Sequence, residues 1–186
     1  MKNVLVLEGS SRSGGNTERL TNEVLRDVER TTIYLREKTI LPIVDKRHDE
    51  EGFSIVNDDH DAIMEEVFKH DILIFSTPIY WYSMSGLMKT FIDRWSQTLR
   101  DPRFQMKAEM KKKEAFVVAC GGDNPRMKGL PLIQQFQYAF DFIGLPFSDY
   151  VIGQGSKPGE IMNDPYALHV AKALNEMIKR KIHLNG

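Results

Sequence analysis

A loop of glycines, hydroxyls and one arginine follows the first apolar run of the chain. Residues Glu8 to Thr17 read EGSSRSGGNT, and helical spacing begins directly after them. In such a setting the loop N–H groups and the helix amino terminus both direct partial positive charge at an anion. The alternative is a plain turn in which Asn16 or Thr17 caps the helix.

The glycine spacing in this loop indicates which anions it is suited to bind. A dinucleotide fingerprint is absent, because Gly9 is followed by glycines only at Gly14 and Gly15. The nucleoside-triphosphate loop is absent as well, since Gly15 and Asn16 stand where lysine and a hydroxyl residue are required. A phosphomonoester held by hydroxyls, backbone N–H groups and Arg12 fits better.

A second stretch, Thr77 to Trp95, reads TPIYWYSMSGLMKTFIDRW and places three aromatic rings in a loop. Pro78 fixes the backbone at the start of that loop, and Tyr80, Trp81 and Tyr82 follow it. Three adjacent rings on a segment that leaves a buried strand favour a flat ligand. The alternative is an aromatic cluster in the core or in a dimer interface, without a ligand.

A third loop, Cys120 to Asn124, reads CGGDN and again follows a buried strand. Its adjacent glycines, Gly121 and Gly122, allow the backbone to come close to a ligand. Cys120 is interpreted as a small buried residue and not a nucleophile, because no histidine is near it in sequence.

Alternating strands and helices position these loops. We predict an α/β fold, a doubly wound parallel sheet of five strands in the order 2-1-3-4-5, with helices on both faces. The predicted strands are Asn3 to Leu7, Thr31 to Leu35, Asp71 to Ser76, Ala115 to Ala119 and Asp149 to Ile152. Five helices are predicted. The first contains Leu20, Val24 and Val28, and the second spans Asp59 to His70. The third runs from an N-cap at Ser85 to Trp95, the fourth spans Leu132 to Ile143, and the fifth starts at Asp164 and Pro165.

In this strand order the three loops meet at the carboxyl edge of the sheet, where strand order reverses. The first loop suits a phosphate, the second suits a flat ring, and the third allows its backbone to lie close to a ligand. Flavin mononucleotide, FMN, meets all three requirements in one molecule.

Composition excludes several classes of protein. The chain has 186 residues, with 25 basic and 26 acidic side chains, so no net field favours nucleic acid or an anionic membrane. A single cysteine excludes an internal disulfide and a cysteine-bound metal centre within one chain, and it fits a reducing compartment. No signal peptide or membrane span is evident, and we expect one cytoplasmic domain over residues 1–186.

Two polar segments carry charged side chains that could form a site. Between residues 39 and 59 the candidate metal ligands are Asp45, His48, Asp49, Glu50 and Glu51, although a solvated loop is favoured and no metal is predicted. The segment Leu99 to Glu114 carries Arg100, Arg103, Lys107 and Lys111 to Lys113. It lacks apolar periodicity, so a solvated connection is favoured over a site for a nucleotide phosphate.

The first and central motifs also resemble those of a known family. GSxRxxGNT and TPIYWYSMSGLMKTFIDRW are similar to the NADPH-dependent FMN reductases of the flavodoxin-like superfamily, near the iron-sulfur flavoprotein branch. The resemblance covers about Asn3 to Asp123. The chain lacks the cysteines of that branch in the segment Pro42 to Asp59, which excludes its cluster.

The resemblance implies a flavodoxin-like fold and a set of cofactor contacts. The phosphate would be held by the first loop, the isoalloxazine lined by the aromatic loop and bordered by the third loop, and Arg94 and Trp95 would lie in a dimer interface. The predicted cofactor-binding residues are Ser10, Arg12, Gly15, Asn16, Thr17, Pro78, Ile79, Tyr80, Trp81, Tyr82, Gly121, Gly122 and Asp123.

We therefore predict an oxidoreductase that takes hydride from NAD(P)H through FMN and reduces a quinone, a flavin, or a nitro or azo compound. No catalytic side chain is predicted; the N–H groups of residues 79–81 and 121–123 would stabilise negative charge on the flavin. A homodimer or homotetramer is expected. The alternatives are a flavodoxin-type electron carrier and a ligand-free interaction module.

Overall fold

A computed structural model describes residues 1–183 and shows strands alternating with helices along the chain. In chain order the elements are β1 (Val4–Glu8), α1 (Asn16–Val24), β2 (Thr31–Tyr34), α2 (His60–Lys69), β3 (Ile72–Pro78), α3 (Gly86–Asp93), α4 (Trp95–Thr98), α5 (Met106–Met110), β4 (Glu114–Gly121), α6 (Pro125–Lys128), α7 (Leu130–Ile143), β5 (Phe147–Gln154) and α8 (Pro165–His183). Two short 3-10 turns lie at Leu35–Glu37 and Glu160–Asn163.

The five strands form one parallel sheet in the order β2-β1-β3-β4-β5, which confirms the predicted topology. The register aligns Glu8 with Ser76 and Pro78 with Cys120 at the carboxyl ends of β1, β3 and β4. Strand order reverses between β1 and β3, so the loops that follow these strands leave on opposite faces and open a crevice.

Side chains alternate along each strand and so contribute to two hydrophobic cores, one on each face of the sheet. On one face α1 and α8 cover residues such as Val6, Ile74 and Val118. On the other face α2, α3 and α7 cover residues such as Leu7 and Phe75. Because both faces are covered, the strands are apolar along nearly their whole length, as in the sequence.

Helix ends carry the predicted caps. The Ser85 hydroxyl accepts a hydrogen bond from Met88 N at 3.2 Å and donates to the Gly9 carbonyl at 2.7 Å, so the start of α3 is tied to the first loop. Asp164 Oδ1 accepts from Ala167 N at 3.1 Å at the start of α8. Among residues 1–183, no helix has both the length and the apolar composition needed to cross a bilayer.

The segment between α4 and β4 differs from the prediction of a solvated connection. It contains α5, whose Met106 and Met110 side chains are buried against the core. Lys113 is buried too, and its ammonium donates to the carbonyls of Phe68 and His70 at 2.8 and 2.7 Å. The two buried methionines are separated by polar and charged residues, which hid this helix from an analysis based on apolar periodicity.

The prediction that Arg94 and Trp95 form a dimer interface is wrong for their side chains. These residues are only 1% and 4% exposed within a single chain. Arg94 Nη1 lies 2.5 Å from Asp58 Oδ2, and both side chains are inaccessible to solvent. The two residues therefore belong to the interior, where Arg94 attaches the segment before α2 to the body of the protein.

Candidate functional site

The three predicted loops meet at the carboxyl edge of the sheet and enclose two adjoining cavities. One cavity, of about 160 Å³, lies over the first loop; the other, of about 170 Å³, lies beneath the aromatic loop. Both are lined by Ile79, Gly121 and Gly122. All predicted cofactor-binding residues line one or both: Ser10, Arg12, Gly15, Asn16, Thr17, Pro78, Ile79, Tyr80, Trp81, Tyr82, Gly121, Gly122 and Asp123.

The first loop presents unpaired hydrogen-bond donors to its cavity. Gly15 is the N-cap of α1 and no side chain caps this helix, so the alternative of a capping turn is wrong. Within residues 1–183 the N–H groups of Gly15, Asn16 and Thr17 form no hydrogen bond. The exposed Arg12 guanidinium also has no partner in that range. Three converging donors and a free cation fit a phosphate group.

The side chains of two predicted phosphate contacts, Ser10 and Asn16, form hydrogen bonds within the protein instead. Ser10 Oγ accepts from Arg12 N at 3.2 Å and donates to the Arg12 carbonyl at 3.0 Å. The Asn16 amide accepts from Gly159 N at 2.8 Å and donates to the Lys157 carbonyl at 2.9 Å, which fixes the segment after β5 beside the loop. The free donor of Asn16 is consequently its backbone N–H.

The aromatic loop is a tight turn closed by two hydrogen bonds between Tyr80 and Ser83, at 2.9 and 3.0 Å. Its central residues, Trp81 and Tyr82, have φ values of 48° and 64°, the left-handed region that bulky side chains rarely occupy. Each costs about 1 to 2 kcal/mol relative to ordinary backbone. Trp81 is 94% exposed as a result, and its indole stands at the cavity mouth.

Tyr82 connects the aromatic loop to the third loop. Its hydroxyl donates to Asp123 Oδ2 at 2.9 Å, and the Lys128 ammonium donates to the same oxygen at 2.6 Å. Lys128 also lies 5.6 Å from the centre of the Tyr82 ring. The hydrogen bonds from Lys128 and Tyr82 lower the pKa of Asp123, so this carboxylate stays ionised at the rim of the second cavity.

Not all predicted backbone donors are free. The N–H groups of Ile79 and Tyr80 are bonded to the carbonyls of Cys120 and Ser83, so the prediction that they stabilise flavin charge is wrong. Within residues 1–183, those of Trp81, Gly122 and Asp123 form no hydrogen bond.

The cavities are also lined by Lys128, Gly155 and Ser156, which were not among the predicted site residues. Gly155 N donates to the Gly121 carbonyl at 2.9 Å and so brings the end of β5 to the site. A Cβ on Gly122 would lie 2.0 Å from the Ser156 hydroxyl. The glycine and serine that follow β5 are the sequence feature that could have shown this fourth loop.

Cys120 lines the first cavity but is 4% exposed. Burial raises the pKa of its thiol far above the usual range, which disfavours the thiolate. The structure confirms that Cys120 is a small buried residue.

Several charged side chains of the two polar segments form ion pairs, either within their own segment or with α2. Arg103 bonds Asp101 and Asp61, both at 2.5 Å, and Asp45 bonds Arg47 at 2.7 Å. A cavity of about 440 Å³ lies between these segments. Another, of about 430 Å³, lies at the amino ends of the strands, far from the three loops.

Comparison with known proteins supplies the family. A profile of the NADPH-dependent FMN reductase family matches residues 2–143. The chain is 52% identical over 172 residues to the Bacillus subtilis (strain 168) protein YwqN, named as an NAD(P)H-dependent FMN-containing oxidoreductase, covering 92% of this chain and 95% of that protein. It is 27% identical to the iron-sulfur flavoprotein MJ1083 of Methanocaldococcus jannaschii, covering 97% of each.

Among solved structures, the Trp repressor binding protein from Bacillus subtilis has the same fold. It superposes with a TM-score of 0.78 at 46% identity, covering 92% of this chain and 97% of that one. The profile match extends from β1 through α7 and includes all three loops. The chain belongs to the NADPH-dependent FMN reductase family.

Proposed function

We propose that this protein is an FMN-dependent oxidoreductase that passes two electrons from NAD(P)H to a small acceptor: a quinone, a flavin, or a nitro or azo compound. The observation that carries the proposal is the meeting of the three loops around two adjoining cavities at the carboxyl edge of the sheet. Family membership supports the cofactor and the reductant. The acceptor is proposed from the open, aromatic mouth of the second cavity.

In this proposal each loop has a separate task. The N–H groups of Gly15, Asn16 and Thr17 and the Arg12 guanidinium bind the phosphate. The shared floor of Gly121 and Gly122 has no side chains, so a planar ring can lie against the backbone. The ring systems of the aromatic loop limit access to one side and exclude water.

FMN, when bound, would supply the hydride chemistry, and the protein's part is to bind, orient and tune. The free N–H groups of Trp81, Gly122 and Asp123 are placed to stabilise negative charge that develops on a ring in the second cavity. Lys128 adds a positive charge at that rim, partly balanced by Asp123. No side chain is required to transfer a proton in this assignment.

The test is an absorbance spectrum of the purified protein, before and after NADPH is added without oxygen. We expect flavin bands that bleach when NADPH is mixed in, and reoxidation when a quinone such as menadione follows. Protein that takes up no FMN after soaking would refute the proposal. Flavin bands that NADPH and NADH both leave unchanged would favour an electron carrier.

Substitution of Arg12 tests the phosphate contact. We expect Arg12→Ala to weaken FMN binding by about 10- to 100-fold, since hydrogen bonds to a charged group contribute roughly 1.5 to 3 kcal/mol. Binding of riboflavin, which has no phosphate, should be unchanged. The measurement is quenching of flavin fluorescence on titration with protein. Arg26→Ala, which removes an exposed cation beyond the other end of α1, is the matched control; an equal loss for both flavins in R12A would contradict the assignment.

We also propose self-association through the aromatic loop and α7. The Ser83 hydroxyl donates to Gln135 Oε1 at 2.9 Å, and Tyr138 and Phe142 continue the same helical face at 69% and 66% exposure. Trp81, on the loop that Ser83 connects to α7, is a third exposed ring, and exposed apolar side chains of this kind favour association. We expect sedimentation as a dimer or tetramer, and dissociation to monomer in Tyr138→Glu. Tyr166→Glu, on α8, is the control; a monomeric wild type would refute the proposal.

A further inference from the structure

A buried carboxyl group lies directly beneath the first loop. Glu8 is the last residue of β1 and is 1% exposed. Its Oε1 accepts from Ser10 N at 3.0 Å, and its Oε2 lies 2.5 Å from the Ser76 hydroxyl of β3. No cation lies within ion-pair distance of it among residues 1–183. A buried carboxylate without a cation is costly, which favours the neutral acid.

The number of hydrogens in the hydrogen-bond chain beyond Glu8 indicates the protonation state of its carboxyl group. Glu8 Oε2 contacts Ser76 Oγ, Ser76 Oγ lies 2.8 Å from Thr21 Oγ1, and Thr21 Oγ1 lies 3.0 Å from the Thr17 carbonyl. These three contacts need three hydrogens, and the two hydroxyl groups supply one each. The carbonyl supplies none. The chain is complete only when the third hydrogen sits on the Glu8 carboxyl.

The charges around Glu8 come from several elements. Glu18 of α1 disfavours its ionised form, and Arg36 after β2 favours it, but Arg36 is shared with Glu18 at 3.9 Å. Cys120 of β4 is neutral, and Arg12 of the loop is exposed to solvent. Burial is the largest influence and raises the pKa of Glu8 to about 7; the hydrogen bonds that Ser76 and Ser10 donate to the ionised carboxylate act in the opposite direction.

We propose that Glu8 is a positioning residue that holds a proton in the folded protein, and that binding of a phosphomonoester at the first loop depends on this proton. The inference rests on the proposed binding of FMN at this loop. An ionised Glu8 would repel a phosphate dianion bound at this loop, and no cation forms an ion pair with Glu8 among residues 1–183. The neutral acid removes that repulsion and keeps both hydrogen bonds.

Replacement by glutamine imitates the protonated acid. In Glu8→Gln the amide oxygen can accept from Ser10 N, and the amide N–H can donate to Ser76. We expect wild-type FMN affinity to fall by about tenfold between pH 6.5 and pH 8.5, as binding takes up a proton. E8Q should vary by less than twofold over that range. Riboflavin affinity should be flat in both proteins, and fluorescence titration measures all four cases.

Two results would overturn the inference while FMN still binds. One is a flat FMN affinity in the wild type over this pH range, and the other is the same slope in E8Q. Failure of FMN to bind at any pH would instead refute the proposed function. The proton on Glu8 is then tested in the cofactor-free protein, through the infrared carbonyl band of a neutral carboxylic acid. We expect that band in the wild type at pH 6 and its loss by pH 9; its absence at pH 6 would also overturn the inference, and this measurement needs no variant.

Discussion

Replacing Arg94 by methionine is expected to lower the free energy of unfolding by about 3 to 5 kcal/mol, the usual cost of removing one partner of a buried ion pair. Methionine keeps much of the side-chain volume. It leaves the Asp58 carboxylate inaccessible to solvent and without its cation. Asp58 then keeps only the N–H donors of Leu41 and His60, at 2.9 and 3.1 Å.

Arg94 also holds a long segment in place. Its Nη1 donates to the Leu41 carbonyl at 3.0 Å, and its Nε donates to Gln97 Oε1 at 3.0 Å. Gln97 in turn donates to the Ser54 carbonyl at 3.2 Å. Residues 41–58 are thus fastened to α3 and α4 mainly through one guanidinium and its neighbour. We expect faster amide hydrogen exchange in this segment when the arginine is lost.

Urea unfolding of four variants, Arg94→Met, Asp58→Asn, their combination and Arg103→Met, separates the effect of the unpaired charge from the loss of packing. Arg103→Met removes an exposed ion pair and should cost no more than about 1 kcal/mol. Arg94→Met combined with Asp58→Asn removes the stranded charge, and this double variant should be more stable than R94M alone. A double variant that loses the sum of the two single costs would show that the buried charge does not cause the destabilisation.

Features that depend on residues close together in the sequence were predicted, and features that depend on contacts between distant residues were not. Buried strands and the loops that follow them are local, so the sheet order and the placement of Arg12, Trp81 and Gly122 could be expected from composition and spacing. The fourth loop could not, because only the hydrogen bond from Gly155 to Gly121 brings it to the site.

Arg94, which was predicted to lie in an interface, and Glu8, for which no role was predicted, show the same limit in physical terms. Arg94 lies at the junction of α3 and α4, and its partner Asp58 is 36 positions away in a polar segment with no periodicity. Glu8 ends an apolar strand and could equally have faced solvent; only the pairing of β1 with β3 places it opposite Ser76. Charged residues that the fold buries are recognised through their partners, and those partners are set by tertiary structure.

The pH dependence of stability gives a second large effect, carried by Glu8. The unfolded chain loses this proton near pH 4.5, whereas burial raises the folded-state pKa to about 7. Between these values the folded protein holds a proton that the unfolded chain has lost. Stability from this group is therefore greatest at low pH and falls as pH rises to about 7. The difference corresponds to about 3 kcal/mol.

Comparison with E8Q isolates this contribution, because His60 acts in the opposite direction. Burial lowers the pKa of His60 to about 4, so its contribution is lost as pH falls from about 6.5 toward that value. The effects of Glu8 and His60 on the stability of the wild type partly cancel. Both proteins contain His60, so its effect drops out of the difference in stability between E8Q and wild type. From urea unfolding at pH 5, 6, 7 and 8, we expect the stability of E8Q relative to wild type to rise by about 2.5 kcal/mol over the series. A difference that stays constant with pH would mean that Glu8 is ionised in the folded protein throughout, and that the third hydrogen of the Ser76–Thr21 chain is missing.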